Sequence, residues 1–563
     1  MHAHKILHIP SPNPALQKVL HRELNISQIL AQLLINRGIA EPAGARAFLD
    51  AKLDDLLDPF AFSQMPKAVE LIKKALAHKH RVMVFGDYDV DGVTALALLK
   101  TTLAKMGLDV VHYVPHRLKE GYGLSKDILR LVKEKGVKLL ITADCGTSSF
   151  QEIKELRNQD IEVIVTDHHE PANASLPSAS AIINPKIHGS QYPYKDLAGV
   201  GVAYKLCQAV TGEELAEELD LVSLGTVADV VPLTGENRIL VKEGLMRIAN
   251  TRRPGLQALL ELSGIKDKKI TATFVSYILG PRINASGRMD TADIALQLIL
   301  TESKHKAEEL ARLIEQYNRQ RQKVESKIME EARHLIDKEI NFKKHKVIVI
   351  AKEDWHQGVL GIVASKLADR FYRPTILISL SEGVCRGSGR SIKNFHLFHA
   401  LVECRQFLSN FGGHAHAVGL VITKDNIADF RDKINRLAEE KLRLEDLLPR
   451  LDVDMEVGFA DLDEKIIAEL AMLEPFGTGN PEPLLYTRDL ALKGEMQVLG
   501  RETLKFWVTD GAVTHQAIGF GMSYFKESLS CAQHFDLVYT PRMDSWRGDD
   551  SVILEVKDIF LGK

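Results

Sequence analysis

Short apolar runs alternate with amphipathic stretches from Lys67 to about Asn284. The runs at 82–85, 138–143 and 161–166 are apolar at nearly every position, which predicts strands buried on both faces. Residues 67–77, 124–135 and 149–158 read as helices between them. Strand and helix in turn predict a mainly parallel sheet with helices on both faces. Ahead of this region, residues 1–66 read as helical and irregular, with helices at 27–38, capped by Ser27, and at 42–57.

Beyond Thr291 the pattern becomes one long polar helix reaching about Asp337. Leu310, Leu313, Ile314, Tyr317, Val324 and Ile328 recur near helical spacing among Glu, Lys, Arg and Gln. Its heptads are too irregular for a coiled coil, so the helix reads as a connector. A second α/β unit follows, with strands at 347–350 and 375–378 and helices at 358–371 and 426–442. After Pro449, short strands at 451–457, 504–509, 515–520 and 551–556 predict a small β-barrel. The chain thus divides into an N-terminal helical segment (1–66), a parallel-sheet α/β domain (67–290), a connector helix (291–342), a smaller α/β domain (343–448) and a C-terminal barrel (449–563).

A chain of 563 residues accommodates this many domains. The formal net charge of −3 lacks the global basic signature of many nucleic-acid binders, although a local groove can still be basic. No apolar run is long enough to span a bilayer, and Met1-His2-Ala3-His4-Lys5 leads into no secretory core, so a cytoplasmic protein without membrane contact is expected. Five scattered cysteines with no Cys-x-x-Cys pair fit reduced thiols, and Cys145 reads as a small buried residue.

Chemistry enters where the apolar runs end. Gly86-Asp87-Tyr88-Asp89-Val90-Asp91-Gly92 follows the first run, and alternation in an extended segment puts its three carboxylates on one side. Taken alone, this turn serves equally well as a helix cap, with Asp91 or Thr94 near the N-cap. The missing glutamate that closes such a loop argues against an EF-hand. Asp144 follows the second run, and Asp167-His168-His169 follows the third. Asp229 closes Ser223–Ala228, which reads as a helix or its end. Four successive placements of ligand-type residues, three on strand ends, predict one metal site at the C-terminal edge of the sheet. Imidazole with carboxylate suits manganese, zinc or iron, and carboxylate-rich sites also admit magnesium.

Three further segments carry candidate chemistry. Gly280-Pro281-Arg282-Ile283-Asn284-Ala285-Ser286-Gly287-Arg288 reads as a loop offering two guanidinium groups suited to phosphate, or as a turn with solvated arginines. Arg386-Gly387-Ser388-Gly389-Arg390-Ser391 repeats the theme in the second α/β unit. Phe411-Gly412-Gly413-His414-Ala415-His416-Ala417-Val418-Gly419 reads as a Gly-rich loop able to cradle a phosphate, or as a tight turn with packed imidazoles.

Asp-Tyr-Asp-Val-Asp-Gly, Asp144, Asp167-His168-His169 and Asp229, in this order, resemble the four motifs of the DHH phosphoesterase superfamily. Gly412-Gly413-His414 resembles its DHHA1 partner domain. The arginine segment 282–288, the long helix and Leu473-Glu474-Pro475-Phe476-Gly477-Thr478-Gly479-Asn480-Pro481 of the C-terminal part are similar to the RecJ single-strand-specific exonucleases. The resemblance covers nearly the whole chain. It implies that Asp89, Asp91, Asp144, His168 and Asp229 bind one or two manganese or magnesium ions, with Asp144 as the bridging ligand. Asp87 is implied as a ligand or a supporting group, and Asp167 as the group that orients an imidazole. His169 would contact the scissile phosphate, so that Asp144, His168 and His169 form the catalytic set. Phe85 stands where many superfamily members have a histidine four residues before the Asp-x-Asp pair. Arg282, Ser388 and Arg390 would hold the 5′-terminal phosphate, with Asn284 and Arg288 in the same substrate-binding set, and His414 would line the cleft.

The implied activity is metal-dependent 5′→3′ degradation of single-stranded DNA to 5′-mononucleotides in repair and recombination. The barrel is implied to be an OB-like single-strand binder, with Phe506, Trp507, Phe520, Tyr524 and Trp546 as stacking candidates. A monomer working with a single-strand-binding protein and a helicase is the implied setting. Two other readings stay open: a phosphodiesterase for short oligonucleotides or cyclic dinucleotides, and an inert DNA-binding scaffold.

Overall fold

The apolar runs pair side by side in a five-stranded, all-parallel sheet. In chain order its strands are β1 (Arg81–Gly86), β2 (Val110–Tyr113), β3 (Val137–Ala143), β4 (Glu162–Thr166) and β5 (Ala181–Ile183), and their spatial order is β2-β1-β3-β4-β5. The computed structural model describes residues 5–171, 175–265, 269–381, 383–544 and 551–561. The helices Met65–Ala77, Val90–Lys105, Phe150–Arg157 and Gly199–Thr211 follow or precede these strands, as alternation predicts. β1, β3, β4 and β5 are buried at almost every position, as strands covered on both faces must be, whereas the edge strand β2 is half-buried throughout.

The chain forms two compact units. The first comprises Asp58–Asp229 and Gly244–Pro449, and so contains both α/β sheets. Its second sheet has strands β6 (Ile348–Glu353), β7 (Thr375–Leu380), β8 (Cys385–Arg390), β9 (Leu408–Gly413) and β10 (Ala417–Ile422), in the order β9-β10-β8-β7-β6. Only β6 and β7 are parallel; β8, β9 and β10 are antiparallel additions.

Three sequence expectations in this unit need correction. The long helix is two helices, Asp293–Leu300 and Lys304–Glu339. Thr301 is extended between them, and the Ser303 side chain accepts from the Lys306 N–H, so a local cap outcompetes helix continuation. The arginine segment is not a loop but the helix Gly280–Met289, entered through a π-helical stretch Val275–Leu279. Pro281 falls directly after this π-helical stretch, where the regular hydrogen-bond ladder is already interrupted. The Gly-rich segment 411–419 is a β-hairpin of β9 and β10 turning at His414–Ala415–His416, so its backbone groups are largely committed to the strand ladder.

The second unit comprises Lys5–Leu57, Val230–Glu243 and the chain from Arg450 onward. Strands β11 (Leu485–Leu499), β12 (Thr503–Thr509), β13 (Thr514–Gly519), β14 (Phe535–Met543) and β15 (Val552–Leu561) close into a barrel in the order β11-β12-β13-β15-β14, with β14 pairing back to β11. β11 and β14 are absent from the sequence reading. A register shift between Thr487 and Leu490 breaks the alternation of β11, and its far end is largely exposed. The N-terminal helices are not a free-standing segment: Leu20, Leu30, Leu34 and Leu49 share one core with Phe459, Leu504, Phe506 and Tyr539. Their apolar faces are too small to bury alone. Arg238, fully buried, donates to the carbonyls of Phe48, Met472 and Leu473 within this unit.

Among the stacking candidates, Phe506 is a core side chain with its ring toward Phe535, which removes it from the set. Trp507, Phe520 and Tyr524 are exposed at 44%, 65% and 46%. Trp546 lies outside the described residues. No helix among the described residues is long and apolar enough to cross a membrane.

Candidate metal centre

The register of the first sheet places the ligand-type residues in a row. Gly86 pairs with Ala143, Ala143 with Thr166, and Thr166 with Ile183. The next residue on each strand continues the ladder: Asp87 N–H donates to Ala143 O, Asp144 N–H to Thr166 O, and Asp167 N–H to Ile183 O. Asp87, Asp144, Asp167 and Asn184 therefore stand side by side where the strands end, the edge at which α/β sheets build their sites. Asp144 adopts φ 62°, a left-handed conformation that Asp tolerates better than most residues.

The Asp-rich turn is both a cap and part of the site. Asp89, not Asp91 or Thr94, is the N-cap of the helix Val90–Lys105, accepting from Gly92 N–H at 3.1 Å. Asp91 lies in the first turn. Its carboxylate accepts from the N–H groups of Gly199 (2.6 Å) and Val200 (2.8 Å), at the start of the helix Gly199–Thr211. Asp229 follows the helix Leu219–Ala228. His168 Nε2 lies 3.2 Å from Asp144 Oδ1, 3.5 Å from Asp229 Oδ2 and 3.8 Å from Asp91 Oδ2.

Three overlapping groups thus bring ligand atoms within 4.8 Å of one another: Asp87–Asp89–Asp144, Asp91–His168–Asp229 and Asp144–His168–His169. Asp144 and His168 each belong to two of them. Phe85 offers no donor; it is buried and its ring tilts against Tyr113.

Electrostatics say what the cluster lacks. Asp87, Asp144 and Asp229 are held well above the ordinary carboxylate range, first by burial and then by each other's and their neighbours' charges. Asp91 is pushed up to about 7 for the same reasons, despite its two backbone donors. Burial, then the charge of His169, pulls His168 down to about 3, leaving a neutral imidazole. Asp87 Oδ1, Asp144 Oδ1 and His168 Nε2 are buried without a hydrogen-bond partner. Unpaired buried carboxylates facing a neutral imidazole are costly by themselves and are satisfied by a divalent cation. The donor set fits manganese or magnesium.

Asp167 is different. It accepts from Thr147 N–H (2.9 Å), His168 N–H (2.8 Å), His169 N–H (3.1 Å) and His169 Nδ1 (2.8 Å). Burial works against its charge, but these donors and the histidine charges outweigh it and hold the carboxyl below the usual range. Its capacity is spent on orienting His169. For His169, burial opposes the charged ring, while Asp167, Asp229 and Asp89 more than offset it and lift the imidazole to about 9.

On the substrate-binding side the structure sorts the arginines. Arg288 donates to Gly358 O at 2.9 Å. Burial, then the charges of Arg117, Arg321 and Arg390, pulls it down to about 9. Arg390 donates to Ser388 Oγ at 3.4 Å and is lowered by burial and by Arg117. Arg117, whose guanidinium sits 4.6 Å above the Tyr88 ring, thus completes a group of mutually repelling cations. Such a group suits an anion.

Arg282 does not join it. It pairs with Glu315 at 2.9 Å and donates to Ile278 O, because the helix Gly280–Met289 turns it toward the helix Lys304–Glu339. Asn284 lines a cavity of about 410 Å³ with Ala228, Tyr277, Arg288 and Arg321, and its Oδ1 is buried and unpartnered. His414 sits at the hairpin turn and is lowered by burial, then by the charges of His416, Arg390 and His169, which places it in electrostatic reach of the first sheet.

Four residues were missed by sequence reasoning: Arg117, Tyr122, Thr147 and Asn184. Asn184 carried a signal, since it ends the apolar run 181–183 as Asp144 and Asp167 end theirs. The others lie in loops without any periodicity.

Known proteins match the chain domain by domain. Residues 81–226 match the DHH family N-terminal domain, 344–440 the DHHA1 domain and 453–558 the RecJ OB domain. The chain is 39% identical over 553 residues to the single-stranded-DNA-specific exonuclease RecJ of Bacillus subtilis, covering 98% of this chain and 70% of that one. Crystal structures of RecJ from Thermus thermophilus match across the chain. The complex with Mn2+ has a TM-score of 0.86 at 28% identity, covering 100% of this chain and 80% of that one. The complex with Mg2+ has a TM-score of 0.79 at 27% identity, covering 99% and 79%. With the ligand row, the second sheet and the barrel all accounted for, the chain belongs to the RecJ family.

Proposed function

We propose that this chain is a metal-dependent exonuclease that degrades single-stranded DNA from the 5′ end to 5′-mononucleotides. The observation that carries the proposal is the row of buried, mutually repelling carboxylates with His168 at the sheet edge. Asp87, Asp89, Asp91, Asp144, His168 and Asp229 would hold one or two manganese or magnesium ions. When bound, the metal polarises the scissile phosphodiester, activates water as nucleophile near neutral pH and stabilises the leaving oxygen.

The chain's own residues do the rest. Asp167 fixes the Nδ1 side of His169, so Nε2 is the nitrogen free to donate to a phosphate oxygen. Arg288, Arg390 and Ser388 bind the 5′-terminal phosphate and set the polarity of degradation, with Arg117 adding charge. Arg282 serves instead as a structural partner of Glu315. The barrel offers a single-strand-binding surface of its own, with Trp507, Phe520 and Tyr524 exposed for stacking. The proposal extends to a cytoplasmic monomer acting in DNA repair and recombination beside a single-strand-binding protein and a helicase.

The test is release of 5′-mononucleotides from labelled single strands and from blunt duplexes with Mn2+. Release from single strands alone is expected. Binding without release would favour an inert scaffold, and cleavage confined to di- and trinucleotides would favour an oligonucleotide phosphodiesterase.

A second expectation concerns the 5′ end. Arg288→Ala and Arg390→Ala should each lower the preference for 5′-phosphorylated over 5′-hydroxyl strands about 10- to 100-fold, the worth of a charge-assisted hydrogen bond. Arg282→Ala should leave that preference intact and lower the melting temperature instead. Competition between the two strand types reads the first effect, and thermal unfolding reads the second.

A further inference from the structure

Tyr122 lies in Gly121-Tyr122-Gly123, on the connection that follows β2. Both glycines have positive φ, 82° and 86°, so the backbone turns sharply on either side of the tyrosine. The result lays the ring over the end of the first sheet. Tyr122 Oη is 2.9 Å from His169 Nδ1 and 3.3 Å from the main-chain oxygen of Asp144. The two rings meet edge to face, with centroids 5.1 Å apart.

His169 Nδ1 carries one hydrogen, which faces both Asp167 Oδ1 at 2.8 Å and Tyr122 Oη at 2.9 Å. The tyrosine oxygen therefore accepts from His169, and its own hydrogen goes to the Asp144 carbonyl. The His169 side chain is 44% exposed, so packing alone does not fix its plane. Asp167 anchors one edge of the ring, and Tyr122 closes the remaining freedom while tying the ring to the turn that carries Asp144.

We propose that Tyr122 is a positioning residue for the hydrolysis, holding the His169 imidazole through its hydroxyl in register with Asp144. This inference rests on the exonuclease reading above and deepens it. Tyr122 is not a catalytic residue, because its hydroxyl is spent on protein partners rather than on the phosphate.

The experiment compares Tyr122→Phe, His169→Ala and the double variant in single-strand degradation with Mn2+, alongside thermal unfolding. Tyr122→Phe keeps the ring and removes only the hydroxyl. It should lower kcat about 10- to 100-fold, the usual effect of losing an orienting partner, with KM and Tm unchanged. In the His169→Ala background it should cost nothing further, because the group it acts through is gone. An unchanged kcat in Tyr122→Phe would overturn the proposal. So would losses that multiply in the double variant, or a rise in KM alone, which would make the tyrosine a direct substrate contact. A Tm drop that accounts for the lost activity would reduce it to a structural residue. A wild-type protein that releases no mononucleotides defeats the exonuclease reading, whereas an active wild type with an unaffected Tyr122→Phe defeats only this inference.

Discussion

Asp144→Asn should abolish mononucleotide release, by at least about 10³-fold, and at the same time make the metal-free protein more stable. Asp144 sits in two of the three ligand groups, so its loss removes a ligand atom from each of those two. Asparagine is the better replacement than alanine because φ at this position is 62°, and a residue without a short polar side chain pays about 1–2 kcal/mol there.

The stability gain follows from the raised carboxyl. Burial and the charges of Asp91, Asp89, Asp229 and Asp87 hold Asp144 well above the ordinary 3.8 in the folded protein. The folded state therefore binds the proton more tightly than the unfolded chain, and the wild type loses stability relative to Asn as pH climbs above 3.8. The Tm difference between Asn and wild type should be near zero below that pH and grow toward neutrality. Melting curves in a chelator across this range check it; a difference that is flat, or that shrinks with rising pH, would contradict the electrostatic account. Adding Mn2+ should then raise the Tm of the wild type more than that of the variant.

The second large effect comes from a residue with no side chain. A Cβ on Gly199 would lie 2.6 Å from Asp144 Cβ and Oδ1, and the Gly199 N–H is one of the two donors to Asp91. Gly199→Ala must push either Asp144 or the start of its helix aside. Overpacking of this kind costs about 1–3 kcal/mol, and a displacement near 1 Å at a reacting centre costs about 10²-fold in rate. Kinetics and thermal unfolding measured together should show both losses. Gly44→Ala is the control: it lies in the helix Pro42–Leu49, where the nearest atom to a new Cβ is 3.9 Å away. It should leave activity unchanged and stability equal or slightly higher.

Both predictions concern residues whose place was differently legible in the sequence. Asp144 was readable because an apolar run ending in a ligand-type residue is a local signal. Gly199 was not, since nothing near it in the chain reports that a carboxylate arrives from a strand more than fifty positions away. The arginines show the same contrast. Arg282 and Arg288 are six positions apart on one helix and so face different ways, one toward Glu315 and the other toward the group with Arg117 and Arg390. Their segment looked like a loop because Gly280, Pro281 and Gly287 are turn residues by propensity. In the fold, Gly287 is small because a Cβ there would lie 2.9 Å from Tyr88 O, which is a packing demand and not a turn.

What the sequence determined by itself is the set of ligand types and the line on which they stand. Parallel strands that pair in register end at one edge of the sheet, so the residues that follow Gly86, Ala143 and Thr166 are neighbours as soon as those strands pair. The tertiary structure alone decided which polar groups serve the site and which support it. Asp89 became the cap, Asp167 the anchor of His169, and Tyr122 its second tether. Phe506 went to the barrel core and Trp507 to its surface. The physical reason is reach: strand and helix form from contacts within a few residues, whereas a long side chain chooses its partner among groups that folding brings from distant parts of the chain.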